Sequence, residues 1–268
     1  DCDRLGIAVL DDGEYKLMTG NEVGAMFTEY LLETLTEQNK LPKAPVVVKT
    51  IVTSPLISAI AAAHGATTAN LLTGFKYIGE LVTKLESKNE ADRFVVGMEE
   101  SYGYLRGSHA RDKDAVVAVM CLCEVAAWCK KHGITVWDQM LKLYEEYGYY
   151  KETQYAITLK GIDGSKQIAE MMDKLRNNPP KNFGELQVKE LRDYDRDVIT
   201  DLATGATRPT GLPKSNVLYF DLTNDSWCCA RPSGTEPKIK FYMGVKGTSL
   251  QDAEEKLNKL TEDLKAVL

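Results

Sequence analysis

The sequence predicts an α/β chain: a mixed, mainly parallel α/β sandwich followed by a small α+β unit. Three observations carry this. Between residues 46 and 147, short apolar runs alternate with helical periodicities, the pattern of a parallel sheet covered on both faces. From about Lys151, successive strand-like runs are flanked by two helices. The length of 268 residues suits two domains of roughly 100–200 residues each, and a hydrophobic content of 44% is enough to fill their cores.

The elements follow in order. Leu5–Leu10 and Glu14–Met18 read as a hairpin turning at Asp12-Gly13. Thr19 caps a helix, with Glu22 completing a capping box, and Val23, Met26, Phe27, Tyr30, Leu31 and Leu35 form its apolar face. The polar, proline-bearing stretch Glu37–Pro45 reads as a linker. Val46–Val52 suits a strand buried on both faces. Ser54-Pro55 starts a helix as cap and first residue, and Gly65 stops it. Strand Ala69–Leu72, helix Phe75–Leu85 and strand Phe94–Gly97 come next. A loop, Met98–Lys113, leads to helix Asp114–His132, stopped by Gly133, and a further helix covers Val136–Tyr147. The second half reads as strand Tyr155–Leu159, helix Ser165–Asn177, strand Leu186–Leu191, a loop at Thr204–Pro213, strands Val217–Leu222, Trp227–Ala230 and Ile239–Val245, and a final amphipathic helix Ser249–Val267.

Composition excludes several function classes. A formal net charge of −6 with no dense basic tract argues against non-specific nucleic-acid binding, which needs concentrated Lys and Arg. No apolar run reaches the roughly 18–20 residues of a membrane helix, so no membrane partner is expected, and cytoplasmic residence is. The six cysteines, Cys2, Cys121, Cys123, Cys129, Cys228 and Cys229, form no C-x-x-C pair and read as buried thiols in a reducing compartment. The three histidines, His64, His109 and His132, are too scattered for a metal cluster.

Ala230-Arg231-Pro232-Ser233-Gly234-Thr235-Glu236-Pro237-Lys238 is the most informative stretch. A guanidinium fork, two hydroxyls and a glycine-freed backbone lie between two strands, which is the chemistry of a phosphate clamp. A salt-bridged polar turn is the plainer alternative. In a parallel sheet, ligands bind at the carboxyl ends of the strands, so Thr73-Gly74-Phe75-Lys76 and Met98–Lys113 are the loops that matter. Within the latter, Glu99 and Ser101 can bracket a diol, or serve a turn. His109, Arg111, Lys113 and Asp114 gather titratable groups before a helix, for anion binding, proton transfer or simple capping. Asp1 and Asp3 in an extended loop suit a hard cation such as Mg²⁺, or mere solvation.

Taken together and in this order, these segments resemble the phosphoglucomutase/phosphomannomutase (α-D-phosphohexomutase) family. Asp1, Asp3 and Arg4 are similar to the end of its D-x-D-x-D-R metal loop. Met98-Glu99-Glu100-Ser101 resembles its G-E-x-S sugar loop, with Met98 in place of glycine, and Thr73–Lys76 resembles the loop before it. The stretch with His109, Arg111 and Lys113-Asp114 resembles H-x-R-x-K-D. Arg231–Thr235 matches the phosphate loop, and Lys240 stands where a second basic residue follows. The family's serine loop, T-A-S-H-N-P, does not occur in these 268 residues, and Ser54 reads as a cap.

The resemblance implies the end of a domain 2 (1–42), a domain 3 (43–150) that recognises the sugar, and a TBP-like α+β domain 4 (151–268) that binds phosphate. It implies a phosphoglucomutase using a phosphoserine, Mg²⁺ and a hexose 1,6-bisphosphate intermediate or activator on a hexose phosphate substrate. Asp1 and Asp3 would bind the metal. Arg4, Lys113 and His109 would serve catalysis. Thr73, Gly74, Lys76, Glu99, Ser101, Arg231, Ser233, Gly234, Thr235 and Lys240 would bind substrate. Phosphomannomutase or phosphopentomutase activity, or a non-catalytic sugar-phosphate-binding module lacking the serine, are the alternatives.

Overall fold

In the computed structural model, residues 2–159, 161–234 and 236–268 are described, and they form two compact units, 1–148 and 149–268. The first opens with a hairpin of β1 (Ile7–Asp11) and β2 (Glu14–Met18), followed by α1 (Gly20–Glu37). Thr19 caps α1 with the expected capping box to Glu22. Then come β3 (Val46–Thr50), α2 (Pro55–Ala63), β4 (Thr67–Leu71), α3 (Phe75–Ser87), β5 (Phe94–Glu99), β6 (Gly103–Leu105), α4 (Ala115–Lys131) and α5 (Val136–Tyr147). The sheet order is β4-β3-β5-β6, with β4, β3 and β5 parallel and β6 antiparallel to β5.

Neighbouring residues of β5 show how both faces are filled. A Cβ on Gly97 would meet Ile78 of α3, whereas Met98 packs toward α1, where Gly24 makes room for its sulfur. Phe75, Ile78, Val82 and Leu85 of α3 bury against Val46, Val48, Phe94 and Leu105. The methionine that departs from the family's glycine is therefore a core residue, fully buried, and not part of a reshaped loop.

Within the first unit α1 packs on β5 and α2. Two expectations need correcting. The stretch 98–113 is not one loop: Met98 and Glu99 complete β5, and β6 pairs back on it (Gly97 with Leu105, Glu99 with Gly103). Finally, the thiols are not uniformly buried. Cys121, Cys129, Cys228 and Cys229 are, but Cys2 and Cys123 are exposed, since Cys123 lies on the α4 face that also carries exposed Val116, Val119 and Met120.

The second unit begins with β7 (Tyr149–Thr158), which starts well before the expected Tyr155, and α6 (Gly161–Asn177). It continues through β8 (Asn182–Phe183), β9 (Leu186–Asp193), β10 (Val198–Asp201), β11 (Thr207–Arg208), β12 (Leu218–Leu222), β13 (Trp227–Pro232), β14 (Lys238–Gly247) and α7 (Leu250–Val267). The antiparallel order is β11-β10-β9-β12-β13-β14-β7, with β8 paired to β9. Leu218, Phe220, Cys228, Ala230, Ile239, Phe241 and Met243 form a core with Ile168 and Met172 of α6 and Leu260 and Leu264 of α7. Strand alternation then sends Trp227, Cys229, Arg231, Lys240 and Tyr242 to the opposite face. There the Tyr219 and Trp227 rings stack at 5.4 Å, and Trp227 lies against Gly244, directly across the ladder.

Two outcomes follow. Burial holds the Cys121 and Cys129 thiols above their usual range and pushes Cys228 up to about 12, so only Cys2 and Cys123 should react rapidly with a thiol reagent, the other four requiring unfolding. A Cβ at Gly79 of α3 would strike the Arg111 carbonyl, so Gly79→Ala should destabilise the first unit by about 1–3 kcal/mol, read as a lowered urea midpoint.

Candidate functional site

The carboxyl ends of β3, β4 and β5 converge on one edge of the first unit. Glu99 is the last residue of β5 and is buried. Its Oε1 accepts the Gly74 N–H at 2.7 Å. Gly74 caps α3 with φ of +122°, a conformation open to glycine. The carboxylate thus stands at the positive end of α3, and the Thr73–Lys76 loop and the Glu99–Ser101 turn are joined by one bond. Thr73 is half-buried beside it, while Lys76 is exposed with its ammonium 4.9 Å from the Tyr77 ring.

Beyond Glu99 the chain turns sharply. Ser101 is half-buried, and Tyr102 takes φ of +66°. The turn rests on the start of α1, where any side chain at Gly20 would collide with the Glu100 carbonyl. Tyr104 closes the underside by donating its hydroxyl to the Gly20 carbonyl at 3.0 Å. From the other side, the Leu5 N–H donates to the Tyr102 carbonyl at 3.1 Å, and Arg4 bridges Gly103. The Asp3-Arg4 segment is thereby carried to the turn at Glu100–Tyr102.

Lys113 links these pieces. Its Nζ lies 3.0 Å from Asp112 Oδ1 and 3.4 Å from Asp3 Oδ2, and 5.7 Å from the Phe75 ring. Burial alone would lower its pKa, but the hydrogen bonds and charges of Asp112 and Asp3 outweigh this and hold it above the ordinary lysine value. Lys113 therefore keeps its proton at neutral pH and is a cation or an acid, not a base, in this arrangement. His109 Nε2 pairs with Asp114 Oδ2 at 2.9 Å; that bond and the amides of Val117 and Val116 hold the Asp114 carboxyl below its usual range. Arg111 turns away from this group, donating to Thr83 Oγ1 at 2.9 Å and pairing with Glu86 of α3.

Asp3 is the one described member of the expected metal pair, since Asp1 lies outside the described residues. Asp3 is committed to Lys113, and among the described residues no cluster of three or more ligating side chains forms. The described donors therefore do not by themselves fit a Mg²⁺ ion.

In the second unit, the β13–β14 hairpin carries the loop expected to hold phosphate. Arg231 and Lys240 are direct cross-strand partners, on the face opposite the helices. Both are half-buried, and among the described residues neither is held by a hydrogen bond or an ion pair. Like charges set opposite one another repel, so the pair leaves positive charge on this face that no described residue offsets. The connecting turn is closed by Ser233 N–H to the Lys238 carbonyl at 2.7 Å and Glu236 N–H to Ser233 Oγ at 3.3 Å, leaving Gly234 exposed. Thr235 lies outside the described residues.

Sequence reasoning missed a polar group at the end of β3. Lys49 is only 4% exposed, and its Nζ donates to the carbonyls of Thr53 (2.8 Å) and Thr50 (3.3 Å). The Thr50 and Thr53 hydroxyls lie 2.8 Å apart and meet the Glu100 carboxylate. The available signal was the polar Lys49-Thr50 pair closing an otherwise apolar strand at the ligand-binding edge. Ser54 is a helix cap as expected, accepting the Leu56 N–H at 3.2 Å.

Residues 19–147 match the family model described as phosphoglucomutase/phosphomannomutase, alpha/beta/alpha domain III. The phosphoglucomutase of Staphylococcus aureus (strain NCTC 8325 / PS 47) is 34% identical over 261 residues, which cover 97% of this chain and 46% of that protein. The chain thus spans about half the length of the curated relatives it matches. The same backbone arrangement occurs in the Paramecium phosphoprotein pp63/parafusin, a phosphoglucomutase, in its open form. It aligns with a TM-score of 0.66 and 19% identity over 98% of this chain and 43% of that one. A phosphoglucomutase/phosphomannomutase family protein of Burkholderia thailandensis aligns at 0.56 and 16% over 99% of this chain and 45% of its own. Residues 19–147 of this chain thus carry the alpha/beta/alpha domain III of the phosphoglucomutase/phosphomannomutase family.

Proposed function

We propose that this chain supplies the sugar-recognition and phosphate-holding parts of a phosphoglucomutase, which interconverts hexose 1-phosphate and hexose 6-phosphate through a hexose 1,6-bisphosphate. The observation that carries this reading is the facing pair Arg231 and Lys240, two cations without a described counter-charge beside the Ser233-Gly234 turn. A phosphate dianion fits them in charge, and the arginine fork fits it in shape.

The roles follow from the chemistry of each group. Arg231, Lys240, Ser233, Gly234 and Thr235 hold the phosphate that does not react. Glu99 and Ser101 accept from and donate to the sugar hydroxyls, with Thr73, Gly74 and Lys76 forming the adjoining wall. Arg4, exposed next to the turn, neutralises charge on the phosphoryl group in flight, where positioning and charge compensation carry most of the catalysis. Lys113, protonated between Asp3 and Asp112, is suited to donate a proton or a positive charge; His109, paired to Asp114, is the second candidate for proton transfer. The phosphoryl donor is a serine that these 268 residues do not carry in recognisable form.

Two measurements test this. The chain should bind glucose 6-phosphate by titration calorimetry, and Arg231→Ala should weaken it by roughly ten- to a hundredfold, the loss of a charged hydrogen-bond partner; unchanged affinity removes the phosphate assignment. In a coupled assay with glucose 1-phosphate and glucose 1,6-bisphosphate, the 268 residues alone should show no turnover. Activity there would disprove the need for the serine.

A further inference from the structure

Glu100 sits between the two proposed sugar ligands, yet its carboxylate is turned back beneath them. Its Oε2 lies 3.2 Å from Thr50 Oγ1 and 3.5 Å from Thr53 Oγ1, and those hydroxyls lie 2.8 Å from each other. Thr50 and Thr53 are 0% and 1% exposed. Two hydroxyls carry two protons, enough for one bond between them and one to the carboxylate. The segment that bears them is itself fixed, because the buried Lys49 ammonium holds the carbonyls of both threonines.

The turn so anchored is one that would not keep its shape unaided. Tyr102 has φ of +66°, a region that a bulky side chain rarely adopts. Gly20 supports the Glu100 carbonyl on one side by close approach, but that contact cannot pull. The Thr50–Thr53 hydroxyl pair can, since breaking its bond to Glu100 would leave buried polar groups unpaired.

We infer that Glu100 is a positioning residue for sugar recognition: it ties the Glu99–Tyr102 turn to the end of β3 and thereby fixes the separation of the Glu99 carboxylate and the Ser101 hydroxyl. It acts through those two neighbours and does not touch substrate. The inference rests on the sugar-binding role proposed above for Glu99 and Ser101.

The test uses Glu100→Ala, Glu100→Gln and the near-isosteric Thr50→Val in the 268-residue chain. Amide hydrogen exchange is followed over residues 99–103, together with the Kd for glucose 6-phosphate. Glu100→Ala and Thr50→Val should each speed exchange at 99–103 and raise Kd by about tenfold, with exchange in α1 and β3 unchanged. Glu100→Gln keeps an acceptor oxygen and should restore both to within about threefold of wild type. Unchanged exchange and unchanged Kd in Glu100→Ala and Thr50→Val overturn the inference, as does faster exchange with an unchanged Kd. A wild-type chain that binds no hexose phosphate overturns the functional reading, and the positioning role with it, whatever the exchange shows.

Discussion

The hydrogen bond from the Gly74 amide to the Glu99 carboxylate is the constraint on which the first unit's loops depend. A buried carboxylate must be paired, and here the partner is a helix N-terminus. That fixes where β5 ends, where α3 begins and how the two intervening turns face one another. It also explains the glycine: only a residue tolerant of φ near +122° can point its amide back at the strand. The same bond holds the Glu99 side chain in one place, which lowers the cost of ordering it for any contact it makes.

The second unit reaches a comparable result by a different route. Its helices cover one face of the antiparallel sheet, so strict alternation along β13 and β14 decides which side chains are left for chemistry. Cys228 and Ala230 point to the core; Arg231 and Lys240 point away from it. A shift of one residue in that pairing would bury both cations. The ladder that fixes the register is long: β14 pairs with ten residues of β7 on its far side.

Much of this was legible in the sequence because it rests on local rules. Thr19 and Ser54 cap helices as short polar residues do, and the apolar run beginning at Val46 announced a strand buried on both faces. The β13–β14 hairpin was legible because its two strands are neighbours in sequence. What escaped depends on contacts far along the chain. Thr50 and Glu100 are 50 residues apart, and Gly20 meets the Glu100 carbonyl across a still longer stretch of chain. The short strand β6 lay hidden because three residues, Gly103–Leu105, are too few to show a period. The exposed Cys123 was misread for a related reason: α4 is apolar nearly all round, so its sequence does not say which face is inward.

The facing cations on β13 and β14 have a thermodynamic side. Residues paired directly across a ladder have Cβ atoms about 5 Å apart, and like charges so placed are destabilising; dissolved salt, with a screening distance of about 8 Å at physiological ionic strength, weakens that repulsion. A bound dianion relieves it fully, and whatever binds only the folded hairpin draws the folding equilibrium toward it. Occupancy and folding of the second unit are therefore coupled quantities. An anion held between Arg231 and Lys240 would act, in that sense, as a structural member of the sheet.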